Sequence, residues 1–272
     1  MRNMRPRRAR EEARRLLHAS GVRRPEHIDV EALARSFGAE VVIGKLDGAT
    51  ARVMRFGTKA RIRVSDRIVH PGARRFSIAH ELGHLVLGHE IPTESDAAQF
   101  LARACTRKRG ETDPEPEANT FAAETLMPEW LVKHRCEISP VHLGHVHDIA
   151  QAFRTSKVAS AVRFAELTSE RCAAVYSERG AVKWIAPSAT FPDQITRGMK
   201  LDPGSIAFDY FAKGSIETDP QRVTADAWLP ATPSKVAHVE IVEHSEPVPE
   251  SGGVLSLLWI PEDAAARLAL FD

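Results

Sequence analysis

Arg75-Phe76-Ser77-Ile78-Ala79-His80-Glu81-Leu82-Gly83-His84-Leu85-Val86-Leu87-Gly88 is the stretch on which the reading of this chain turns. From Pro71 onward, Phe76, Ala79, Leu82 and Val86 recur at spacings of three and four, which predicts one helix running to about Gly88. At 3.6 residues per turn, His80 and His84 leave that helix from one face, with Glu81 on its edge. Two imidazole nitrogens one turn apart can hold a single Zn2+ at about 2.0 to 2.1 Å, and a neighbouring glutamate can take the proton of a water that the metal acidifies. Ile78, Ala79, Leu82, Leu85, Val86 and Leu87 make the helix apolar, and such a helix does not bury two histidines and a glutamate without partners.

A catalytic zinc keeps three protein ligands and one open position. The later helix, starting at Glu115 or Glu117 and stopped by Pro128 after Met127, supplies the candidates for the third. Glu115 and Asn119 stand four apart and share a face, whereas Glu117 points elsewhere. Glu115 is therefore the preferred third ligand, Asn119 supports a ligand by hydrogen bonding, and Glu117 is the alternative. His70 and His89 read as surface histidines rather than substitute ligands or oxyanion stabilisers. His142 and His145 share a helix face with no carboxylate at ligand spacing and read as surface or site-rim residues. Tyr176 and Tyr210 are the only tyrosines, and neither acquires a role from its position.

Outward from the motif, Ala9, Ala13, Leu16 and Leu17 lie at helical spacing over residues 6–20, and Gly21 ends that helix. A second helix follows Asp29 as N-cap, with Ala32, Leu33 and Phe37 on one face and Gly38 as its stop. Strand-like runs at Glu40–Leu46, Thr50–Phe56 and Ala60–Val64, separated by Asp47-Gly48 and Gly57-Thr58, predict a small antiparallel meander. Residues 90–114 read as a loop with one turn-rich helix around Ala97–Ala104. Helices at Val141–Phe153 and Ser156–Leu167, joined by Arg154-Thr155, form a helical hairpin or helix-turn-helix. After Glu170 the texture changes to alternating runs at Ala173–Ser177, Val182–Ile185, Val236–Val242 and Val254–Ile260. The expected class is α+β in three parts: residues 1–135, a helical segment 136–170, and a β-rich domain 171–272.

The chain has 272 residues, and its 37 Lys and Arg against 36 Asp and Glu leave a net charge of +1, too small to draw nucleic acid by a global field. Only the start, with Arg2, Arg5, Arg7, Arg8, Arg10, Arg14 and Arg15, offers a local basic patch. No apolar run approaches the roughly 18 residues of a membrane span, and no apolar core follows the early arginines, so neither a membrane partner nor a secretory signal is expected. Cys105, Cys136 and Cys172 are odd in number and form no C-x-x-C pair, which fits a reducing compartment, the cytoplasm, and excludes a cysteine zinc ribbon.

The run Arg75 to His84, followed by Glu115 to Asn119 and then Phe121-Ala122-Ala123-Glu124-Thr125-Leu126-Met127-Pro128, resembles the ImmA/IrrE family of bacterial metallopeptidases. The stretch from Ile149 to Phe153 and on to Arg163-Phe164 is similar to the helix-turn-helix-like segment of that family, so the resemblance covers roughly residues 8–170. It implies a zincin-like core with His80, His84 and Glu115 as ligands of Zn2+, Mn2+ being the alternative, and Glu81 as general base. It also implies a protein substrate, a helix-turn-helix transcriptional repressor whose cleavage releases stress-response or mobile-element genes. Thr125, at a commonly apolar position, and Pro116, inside the ligand segment, depart from the family pattern. The rival expectation is a DNA-binding or protein-binding regulator built on an inactive zincin scaffold. Direct nucleic-acid binding is not favoured, because the second hairpin helix offers only Lys157 and Arg163 as cationic contacts.

Overall fold

A computed structural model describes residues 4–93, 113–230, 238–249 and 251–269. The helix expected around Ala97–Ala104, Cys105, and the start of the run from Val236 lie outside the described residues. The fold is α+β and the chain divides into two compact units, Met1–Leu131 with Gln151–Ser156 and Val132–Ala150 with Lys157–Asp272. Among the described residues, no helix is long and apolar enough to cross a membrane.

In the first unit, helix α1 (Met4–Ala19) buries the expected stripe of Ala9, Ala13, Leu16 and Leu17. The Arg14 side chain on α1 donates to Glu124, which is fully buried, at 2.9 Å and also to Glu129, so the carboxylate is not left uncompensated. Helix α2 (Val30–Ser36) begins where Asp29 Oδ1 accepts the N–H groups of Glu31 and Ala32, both at 3.0 Å. Its buried face is Val30, Leu33 and Ala34 rather than Ala32, Leu33 and Phe37, because Phe37 sits past the last helical turn and points into solvent.

Strands β1 (Ala39–Gly44), β2 (Ala51–Phe56) and β3 (Lys59–Ser65) form a sheet in the order β1-β3-β2. This corrects the expected antiparallel meander: β2 and β3 do form a hairpin across Gly57-Thr58, but β1 runs parallel to β3. The link from Gly44 to Ala51 is six residues long, enough at about 3.3 Å each to pass over one strand, so Asp47-Gly48 is part of a longer crossing and not a two-residue turn. The central place goes to the strand whose alternate residues, Ala60, Ile62 and Val64, are most completely apolar and buried.

Helix α3 (Pro71–Val86) packs on this sheet, and helix α4 (Glu115–Leu126) packs on α3. Gly83 permits that approach, since a Cβ there would lie 3.0 Å from Phe121 Cδ1 and 3.3 Å from Ala118 Cα. Pro116 falls in the first turn of α4, where its missing N–H costs no helical hydrogen bond. Thr125 is fully buried, and its Oγ1 has no hydrogen-bond partner among the described residues.

Helix α5 (Leu143–Phe153) and helix α6 (Lys157–Leu167) flank Arg154, which turns the chain with φ 53°. The second unit carries a five-stranded antiparallel sheet in the order β5-β4-β8-β7-β6. Its strands are β4 (Cys172–Glu178), β5 (Ala181–Pro187), β6 (Gln221–Thr224), β7 (Glu240–Val248) and β8 (Gly253–Trp259). The short β6 and the helices α7 (Ile206–Lys213) and α8 (Glu262–Ala269) lie outside the runs expected from the sequence. Val175, Phe191, Trp228, Ile241, Val254 and Leu258 are central to the core of this unit.

Candidate metal centre

Helix α3 supplies both histidines, one turn apart, and the first turn of α4 supplies Glu115. His80 Nε2 lies 3.1 Å from His84 Nε2 and 3.1 Å from Glu115 Oε2, and His84 Nε2 lies 3.6 Å from Glu115 Oε1. His80, His84 and Glu115 form the one group of three or more such side chains, among the described residues, whose candidate ligand atoms all fall within 4.8 Å of one another. Ligands on a tetrahedral zinc at about 2.05 Å sit about 3.4 Å apart, so these separations fit one ion shared by all three residues. Glu115 is about half exposed at the side chain (53%) while the histidines are mostly covered, so the group opens toward solvent on the glutamate side.

Hydrogen bonds behind the histidines set which nitrogen faces the centre. His80 Nδ1 donates to Asn119 Oδ1 at 2.9 Å, which leaves the lone pair of His80 on Nε2. A neutral His89 that donates from Nε2 to Glu117 Oε2 at 3.1 Å accepts at Nδ1, and His84 Nδ1 then donates to it across 3.0 Å. The lone pair of His84 is then also on Nε2. Two nitrogen lone pairs and a carboxylate thus converge on one point, an arrangement that repels itself unless a cation lies between them. The electrostatics of His80 agree: burial disfavours its imidazolium, but the hydrogen bond and charge of Glu115, the charge of Glu81 and the bond to Asn119 together raise its pKa. The pocket favours positive charge, and this donor set fits Zn2+.

Glu81 sits beside the group with one oxygen fixed, since the Val53 N–H of β2 donates to Oε2 at 2.8 Å. Its Oε1 has no hydrogen-bond partner among the described residues. Burial pushes the Glu81 carboxyl above the ordinary range; charge at His80, the Val53 N–H and Arg52 oppose the rise without cancelling it, and the charge of Glu115 adds to it.

His70, Glu117, His89, His142 and His145 lie elsewhere. His70 caps α3, its Nδ1 accepting from the N–H groups of Gly72 and Ala73 at 3.1 and 3.3 Å. Glu117 is buried and faces His89 rather than the three-residue group. His89 is not a surface residue, its side chain being only 10% exposed. The backbone carries it inward: Gly88 adopts φ 69°, its N–H reaches Leu85 O, and the His89 N–H reaches His84 O at 3.0 Å. That is the Schellman ending of a helix, which folds the residue after the glycine back over the last turn. In the second unit, His142 Nδ1 accepts from the Gly144 N–H and His145 Nε2 donates to Pro140 O, so both serve the start of α5. Tyr176 donates to Ser251, also within the second unit.

The sequence over residues 34–165 matches the family model of the IrrE N-terminal-like domain, Peptidase_M78. No curated protein matches the chain. A solved structure described as a Mycobacterium tuberculosis transcriptional regulator is similar with a TM-score of 0.61 at 18% identity, the match covering 97% of this chain and 78% of that one. At that identity the likeness shows a shared fold.

Proposed function

For a chain whose residues 34–165 match the IrrE N-terminal-like family model, we propose a zinc-dependent endopeptidase that hydrolyses a peptide bond in a regulatory protein, a helix-turn-helix repressor being the substrate class. The observation that carries this reading is the convergence of His80 Nε2, His84 Nε2 and Glu115 on one point beside a carboxylate tethered by a backbone N–H. His80, His84 and Glu115 are the ligands. Zinc bound there, or manganese in its place, supplies Lewis acidity that brings the pKa of a water towards 7 and polarises the scissile carbonyl. Glu81 is the general base: with Oε2 held by Val53, it takes the proton of the attacking water through Oε1 and hands it to the departing amide nitrogen. Burial raises its pKa above the ordinary carboxylate range, which strengthens it as a proton acceptor. The absence of any C-x-x-C pair among the three cysteines of the sequence supports a reducing compartment such as the cytoplasm.

A second reading, a transcriptional regulator that keeps the zincin scaffold without its chemistry, is favoured by the description of the Mycobacterium tuberculosis relative in fold. Glu81→Gln separates the two. The endopeptidase reading expects the variant to hold one zinc per chain, measured by mass spectrometry, while cleavage of a co-expressed repressor falls by about 10²- to 10⁴-fold. Repressor levels and transcription that respond identically to wild type and to Glu81→Gln would overturn it and leave the regulator.

A further inference from the structure

Behind the candidate ligands, a polar connection crosses from the end of α3 to the first turn of α4: His84 Nδ1 to His89 Nδ1 at 3.0 Å, then His89 Nε2 to Glu117 Oε2 at 3.1 Å. His89 and Glu117 are 10% and 6% exposed at their side chains. Placing a carboxylate and an imidazole in so dry a site costs free energy unless each is hydrogen-bonded, and His89 meets this by bonding Glu117 on one side and His84 on the other. We propose that His89 and Glu117 are positioning residues of the metal centre, forming a relay that fixes the tautomer and aim of His84. The proposal rests on the reading of His84 as a ligand.

The geometry makes the relay directional. The Glu117 carboxylate can only accept, so it holds the single N–H of a neutral His89 on Nε2 and leaves Nδ1 with a lone pair. That lone pair can only be met by a proton on His84 Nδ1, which keeps His84 Nε2 bare and directed at His80 Nε2, 3.1 Å away. Negative charge on Glu117 also raises the electron-donating power of His84 through the intervening ring, as carboxylates hydrogen-bonded to ligand histidines do. Here an imidazole extends the reach of the carboxylate to a histidine it does not touch. Gly88 completes the device, because the backbone reversal at φ 69° brings His89 over the last turn of α3. His80 is served separately and more simply, by Asn119.

The two ligand histidines are therefore held by different chemistry, a neutral amide behind one and a buried charge behind the other, and the relay has its own signature. The test uses the full chain and zinc alone, with affinity measured by competition against a chromophoric chelator. Wild type, His89→Phe, His89→Asn and Glu117→Gln are compared, and the melting temperature of each metal-free protein is recorded in parallel. His89→Phe should bind zinc about 10- to 100-fold more weakly than wild type. His89→Asn, whose side-chain oxygen can still accept from His84 Nδ1, should recover part of that loss. Glu117→Gln, which preserves size, should weaken zinc while leaving the metal-free melting temperature within a few degrees of wild type, and it carries the test should His89→Phe fail to fold. Nitrogen-15 NMR of the imidazoles should report the Nδ1–H tautomer at His84 in wild type and a mixture in His89→Phe.

Wild-type zinc affinity in both His89→Phe and Glu117→Gln would overturn the relay, as would equal loss in His89→Phe and His89→Asn accompanied by equal loss of metal-free stability. Failure of the underlying site looks different: wild type itself would bind no zinc, or His80→Ala would bind it as well as wild type.

Discussion

Gly83 shows how a residue without a side chain sets the position of one that has chemistry. It lets α4 approach α3 so closely that an added Cβ would meet Phe121 Cδ1 at 3.0 Å and Ala118 Cα at 3.3 Å. Gly83→Ala gains about 1 kcal/mol of helix propensity and loses about 1–3 kcal/mol to overpacking, so overall stability should fall by at most about 2 kcal/mol. The separation of the helices should change more, and α4 carries Glu115 and Asn119. Zinc affinity several-fold weaker with a melting temperature lower by no more than about 8 °C is the expected outcome, measured by chelator competition; unchanged affinity would mean that Phe121 gives way instead. At this scale much of the site was legible. The spacing of His80 and His84, and of Glu115 and Asn119, follows from helical periodicity, and the structure brings all four together. His89 was not, because its side chain is brought inward by a backbone reversal at Gly88, and a polar residue after a helix stop ordinarily reads as surface.

Among elements, helix starts show how much depends on partners distant in sequence. The N–H groups at the start of α5 are accepted by two histidines, Leu143 by His244 Nδ1 at 3.0 Å and Gly144 by His142 Nδ1 at 3.1 Å. Burial lowers the pKa of both, with like charge from His145 and His244 adding at His142 and His147 adding at His244, against opposing contributions from Asp148 at His142 and from Thr218, Glu246 and Asp219 at His244. A protonated imidazole cannot accept at Nδ1, and its charge opposes the positive end of the helix. The unfolded chain therefore binds these protons more tightly than the folded one. Stability is complete above the ordinary histidine pKa of 6.5 and is lost as pH falls from there through the lower folded values. The melting temperature should drop below about pH 6.5, and the double variant His142→Asn/His244→Asn, whose amide oxygens cap at any pH, should flatten that dependence; an equal slope in both proteins would remove the histidines as its source. The sequence placed α5 correctly but could not supply its cap, since His244 arrives from β7, about a hundred residues later. The order β1-β3-β2 was hidden for a related reason, as strand pairing is chosen by burial across the sheet and a short linker permits more than one order.

Over the whole molecule, the change of texture after Glu170 does coincide with the entry into β4, so the α+β class and the β-rich second half were readable from alternation. The interleaving of the compact units was not, because residues 151–156 count with the first unit while residues on both sides of them count with the second, and no local composition records that. The convergence of two bare imidazole nitrogens on one carboxylate has a thermodynamic consequence that reaches every residue of the first unit. A folded state that must gather these groups without a cation is penalised, whereas an unfolded chain leaves them apart, so zinc bound at this site would be a linked ligand of folding itself. At free zinc a hundred times its dissociation constant the folded state gains about 2.7 kcal/mol, and melting should rise by roughly 5–10 °C. Calorimetry with and without zinc would read this directly, and an equal rise in His80→Ala would refute it. Under metal starvation the unfolded fraction then climbs roughly a hundredfold, exposing the chain to proteolysis. The abundance of this protein should accordingly follow the metal supply of its surroundings, as a gauge whose needle is its own lifetime.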